Sequence, residues 1–135
     1  MKISNVLLWI CRIVAAVILL QTLFFKFNAA PESVYIFSML GIEPWGRRGS
    51  GIAELIASIL LLIPRVSVFG ACLALGIMAG AIASHVLVLG IEVMGDGGQL
   101  FIYALLVAIA SSYIIMVSRS QIFAVLILRK HESGT

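Results

Sequence analysis

The chain has 135 residues, 62% of them hydrophobic and only 11% charged, with mean hydropathy +1.18. That composition excludes a soluble domain with an ordinary polar surface and places the protein in a lipid bilayer. The net charge of +3 does not point to nucleic acid, because the cations are arranged for membrane topology.

Four apolar segments follow one another, at about 4–25, 46–63, 67–89 and 99–117. A hydrocarbon core of about 30 Å needs about 20 helical residues, which the first, third and fourth segments supply. The second is short and is expected to extend toward Pro44, with Arg47 and Arg48 snorkelling to headgroups. The predicted fold is an all-α membrane protein, one domain over 1–135. Its core is a four-transmembrane-helix bundle with a short interfacial helix in the first outer loop.

The first segment, preceded by Lys2, has the outline of a signal peptide. Its apolar run is too long, it carries Arg12 and Gln21, and Pro31 would follow the cut, so an uncleaved anchor is expected. Lys2, Arg65, Arg119, Arg129 and Lys130 share one side if the spans alternate, which puts both termini in the cytoplasm.

In the first outer loop Pro31 suits a helix start, Glu32 its first turn and Gly41 its end. Val34, Ile36, Phe37 and Leu40 give it an apolar face, and Tyr35 and Trp45 are interfacial aromatics. It is read as an ordered cap on the bundle end.

The third segment repeats small residues at Cys72, Gly76, Gly80 and Ser84. Gly76, Gly80 and Ser84 are therefore expected to let helices approach closely. Gly95-Asp96-Gly97-Gly98 is a turn. After Val117, a short apolar run followed by Arg129-Lys130-His131 predicts an amphipathic tail over 118–135 along the cytoplasmic face, disordered from Glu132.

Away from the segment ends, three ionisable residues, Arg12, Glu54 and His85, fall inside the apolar segments. A charge in hydrocarbon costs at least about 2.5–3.5 kcal/mol, so such groups face a bundle interior and find partners. Counting helix rise from the cytoplasmic ends puts Arg12 about 12 Å deep and Glu54 about 13–14 Å deep, and a bidentate Arg12–Glu54 pair is expected. His85 lies near the outer end with Gln21 at similar depth and Lys26 one turn higher. Arg12, Gln21, Lys26, Glu54 and His85 thus form either a structural polar core or a site for a small molecule or proton.

The two cysteines, Cys11 and Cys72, are isolated and read as small apolar filler. His131, in the tail on the opposite side, cannot join His85 as a second haem ligand. No metal site, phosphate-cradling loop or nucleophile–base pair is present at the required spacing. The chain is not expected to catalyse a reaction alone.

These residues together resemble the DoxX-like family of small four-helix bacterial membrane proteins. The likeness rests on Arg12 and Lys26 in the first segment and on Gly51-Ile52-Ala53-Glu54-Leu55 with Leu60-Leu61-Leu62 in the second. Ala79-Gly80-Ala81-Ile82-Ala83-Ser84-His85 completes it in the third. Where the family pattern often has a glycine three residues before the lysine, this chain has Leu23. The resemblance implies an inner-membrane protein that is a membrane subunit or accessory of a redox system handling quinone, thiol or sulfur compounds. A quinone or similar lipophile would then bind among the helices, with a redox enzyme or a second copy as partner. The alternatives it leaves open are a small transporter, a membrane chaperone or assembly factor, and a bundle that only stabilises a larger complex.

Overall fold

The computed structural model describes the backbone of residues 3–133 and the side chains of residues 5–119. Among the described residues the chain is helical throughout, with no strand. The helices are α1 (Ile3–Phe27), α2 (Pro31–Met39), α3 (Trp45–Leu62), α4 (Ser67–Ser84) and α5 (Gln99–Ser133). Between α4 and the last loop, His85–Leu89 form one π-helical turn.

The four long helices close a ring: α1 packs on α3 and α5, and α4 packs on α3 and α5. Short α2 lies across one end, touching α1, α3 and the π-turn. Three stretches are long and apolar enough to cross a membrane: Asn5–Phe27, Ser67–Leu89 and Gln99–Arg119. Their outward faces carry large exposed side chains such as Val17, Phe24, Leu87 and Ile109, as lipid-facing surfaces do. The core between them is built of small and branched residues, Ala15, Ala16, Leu19, Ala57, Leu61, Ala71, Ala74, Val107 and Ile114.

α2 begins with Pro31 in its first turn beside Glu32 and ends where Gly41 adopts φ +75°. The Ile42 N–H donates to the Phe37 carbonyl at 2.9 Å and the Gly41 N–H to Ser38 at 3.1 Å. This pair of bonds satisfies the last carbonyls of the helix.

The helices do not approach closely where the small-residue stripe is. A Cβ added at Gly76 or Gly80 would meet nothing within 4 Å. The tight crossing is instead at Gly70, where a Cβ would lie 2.7 Å from the Leu61 backbone nitrogen and 3.0 Å from the Ala57 carbonyl oxygen. Repetition of small residues is symmetric around neither face, so spacing alone cannot say which glycine meets a neighbour.

α5 runs unbroken past Val117, and its backbone stays helical to Ser133, beyond the Glu132 where disorder was expected. The amphipathic character expected of the 118–135 tail rests on side chains that, beyond Arg119, lie outside the described residues.

Candidate functional site

At its α2 end the bundle holds a cavity of about 540 Å³ lined by all five helices. Its walls are mainly apolar, with Ile18, Leu19, Phe37 and Ile77 among them, and polar groups enter from separate helices. Gln21 and Lys26 come from α1, Glu54 from α3 and His85 from the end of α4. Asp96 and Gln99 stand at the start of α5. Gly76, Gly80 and Ser84 also line it, so the glycine stripe borders open space at the cavity wall.

The ion pair in this cavity is Lys26 with Glu54, Nζ to Oε1 at 2.5 Å. Glu54 is 1% exposed, and its second oxygen lies 3.0 Å from the Thr22 hydroxyl, whose single proton is shared with the Leu19 carbonyl at 2.9 Å. Lys26 also faces the ring of buried Phe37 on α2, 5.6 Å from its centroid. The ammonium is therefore held by a carboxylate on one helix and an aromatic face on another, both favourable to charge at low dielectric.

The expected Arg12–Glu54 pair does not form. Arg12 is buried, but its Nε donates to the Leu61 carbonyl at 2.7 Å and its guanidinium stacks 3.8 Å from the Trp9 ring. Helix register gives the reason. Along α1 and α3, Arg12 meets Leu61, Thr22 meets Glu54, and the Arg47 guanidinium donates to the Lys26 carbonyl. The helices are antiparallel but not flush: α1 starts nine residues before Arg12, an overhang of about 13 Å. Depths counted from each helix end therefore had no common origin. Arg12 sits two to nearly three turns from Glu54, about 10–15 Å along the axis, and it lies outside the cavity.

Arg47 does not snorkel. It is 5% exposed, and its Nε donates to both oxygens of Glu43, at 2.8 and 3.1 Å. Together with its bond to the Lys26 carbonyl, this ties the entry to α3 to the end of α1. Arg48 is the exposed member of the pair.

His85 is 5% exposed and packs edge-on against Phe101 of α5, 5.6 Å between centroids. The π-turn fixes the ring. Its wider winding lets the Gly90 N–H reach the His85 carbonyl at 2.7 Å, and the Gly90 carbonyl lies 3.0 Å from Nδ1. Gly90 has φ +81°, a conformation costly to any residue with a Cβ. The apolar run that contains His85 carries no signature of this turn beyond the glycine that ends it.

Asp96 closes the rim. Its Oδ1 accepts from the N–H groups of Val93 (3.0 Å) and Gly98 (2.8 Å), and its Oδ2 from Leu100 (3.2 Å). Burial works against its charged form. The three backbone donors and the charge of His85 outweigh that and hold its carboxyl below the ordinary range.

Among the described residues no three His, Cys, Asp or Glu side chains come close enough to hold a metal ion. What the cavity provides is an apolar chamber with one buried ion pair and one oriented imidazole, suited to a lipophile with a polar head.

Comparison with known proteins matches residues 10–112 to the model of the DoxX-like family, well over half of the 135-residue chain. No curated protein and no solved structure matches.

Proposed function

We propose that this chain, which belongs to the DoxX-like family, is a polytopic membrane protein that holds a small lipophilic ligand in the cavity at its α2 end. The observation that carries the reading is the ion pair Lys26–Glu54, set in a wall that is otherwise mainly apolar. A buried pair of this kind gains little stability over an apolar replacement. Placed on a cavity, it presents a directed donor to a ligand head while apolar walls take the tail.

In this reading α3 makes a fourth crossing. Its 18 residues reach about 27 Å, and α2 lies in the interface with exposed Tyr35 and Trp45 beside it. The charge bias of the loops supports cytoplasmic termini and an inner-membrane location. A quinone fits the chemistry of the cavity: an alkylated ring against Ile18, Leu19 and Ile77, and a ring oxygen within the field of Lys26. In this reading the protein is a membrane accessory to a redox enzyme that exchanges electrons with the ligand, as the family resemblance implies.

The test is equilibrium binding of decylubiquinone to protein in lipid nanodiscs, with empty discs as reference. Saturable uptake by the wild type, weakened about ten-fold in a Lys26→Met/Glu54→Leu double variant, is the expected result; one charge-assisted hydrogen bond accounts for that factor. Uptake no greater than that of empty discs overturns the reading.

A further inference from the structure

The charges that line the cavity bear on the kind of head it can take. Besides His85, four ionisable side chains border it: Lys26, Glu32, Glu54 and Asp96. Among the described residues its one permanent cation is therefore Lys26, and that charge is committed to Glu54. An ammonium has three N–H groups, so Lys26 can still donate to a neutral oxygen, but the pair has no net charge left for an anion. An anionic head would have to draw Lys26 away from Glu54. That would strand a carboxylate that is 1% exposed in a mainly apolar chamber.

The remaining permanent charges of the lining are negative. Asp96 has its carboxyl held below the ordinary range and is ionised at neutral pH. Glu32 stands exposed in the first turn of α2. The neighbouring guanidinium groups do not offset them, because Arg47 is bound to Glu43 and exposed Arg48 does not line the space. The lining is thus negative overall, and a proton on His85 does not change the sign, since two cations would then face three carboxylates. Low-dielectric walls focus such a field at the mouth of a cleft.

We propose that the cavity selects its lipophile by the charge of the head, taking neutral and cationic heads and rejecting anionic ones such as a sulfate, a phosphate or a fatty-acid carboxylate. This rests on the proposed lipophile site and adds the class of ligand it serves. Anionic lipids are standing competitors for any apolar chamber in a bilayer. A lining that repels them keeps the chamber free for an uncharged or cationic ligand.

The experiment uses three probes with the same decyl tail: decyltrimethylammonium, decanol and decyl sulfate. Each is titrated below its micellar concentration onto wild-type protein in phosphatidylcholine nanodiscs, with empty discs as reference. The sulfate is expected to bind about ten-fold or more weakly than either of the others, and the gap should narrow as salt is raised. The double variant Glu32→Gln/Asp96→Asn should narrow it too. Glu54→Gln frees the Lys26 ammonium, so decyl sulfate should become the tightest of the three and raise the melting temperature of that variant. Equal affinity for sulfate and trimethylammonium heads in the wild type overturns the inference and leaves the lipophile site standing. Tighter binding of the sulfate, or a gap unchanged in both variants, overturns it as well. Binding of none of the three overturns the inference together with the site it rests on. The wild-type comparison needs no variant to fold.

Discussion

The two ends of the helix bundle use the same four helices in opposite ways. At the α3–α4 turn, Gly70 brings two helix backbones into contact and Arg12 spends its hydrogen bond on the Leu61 carbonyl. At the α2 end the helices surround about 540 Å³, and polar side chains of the neighbouring helices α1 and α3 pair with each other in its wall. One end is packed as a core, with small residues in van der Waals contact. The other spends packing on a chamber and keeps its charges paired in the wall. Stability should therefore depend most on geometry at the first end, and at the second on the balance of charge.

The largest expected effect tests that balance. Replacing Glu54 by Leu leaves the Lys26 ammonium, whose side chain is only 15% exposed, without its counter-ion. Breaking one partner of a buried pair costs about 3–5 kcal/mol, and thermal unfolding in detergent should fall accordingly. The double variant Lys26→Met/Glu54→Leu removes both charges and should regain most of that loss while failing to bind the lipophile. A double variant as unstable as the single one would make the pair an element of the fold rather than of a site.

A smaller effect sharpens the contrast from the packed end. Gly70→Val drives a branched side chain into the Leu61 nitrogen and the Ala57 carbonyl, and overpacking of this kind costs about 1–3 kcal/mol. Gly80→Ala on the same helix adds a methyl to open space and should leave the melting temperature unchanged or slightly raised, because alanine orders a helix better than glycine by about 0.5–1 kcal/mol. If both variants lose stability equally, the open space beside Gly80 is filled in the membrane.

These contrasts also mark where sequence reasoning reaches its end. Helix positions were legible because each apolar run has the length of a helix and because Pro31 and Gly41 bracket α2 with residues of fixed conformational preference. Four of the five polar residues expected together, Gln21, Lys26, Glu54 and His85, line one space, while Arg12 lies outside it. Pairing among them was not legible. It depends on how far α1 overhangs α3, a rigid-body offset that no residue type encodes, and that offset gives Glu54 to Lys26 and Arg12 to a carbonyl. The π-turn at His85 was equally hidden, since its one added residue per turn leaves the hydropathy of the run unchanged.

The smallest effect concerns the rim, where the open end is fastened to α5. The Asp96 carboxylate accepts three backbone N–H groups of the last loop and first turn of α5, and Asp96→Ala should cost about 1–2 kcal/mol at neutral pH. Its folded pKa lies below the ordinary carboxylate value, held there by those donors and by His85 against the opposing effect of burial. A depressed folded pKa means the unfolded chain binds the proton first. The contribution is thus complete above the ordinary carboxylate pKa, about 3.9, and is lost as pH falls from there through the lower folded value. Wild type and Asp96→Ala should therefore unfold at different temperatures near neutrality and draw together in acid. A gap that stays constant down to the lowest pH would mean that the loop is held by its glycine conformations, with the carboxylate contributing nothing.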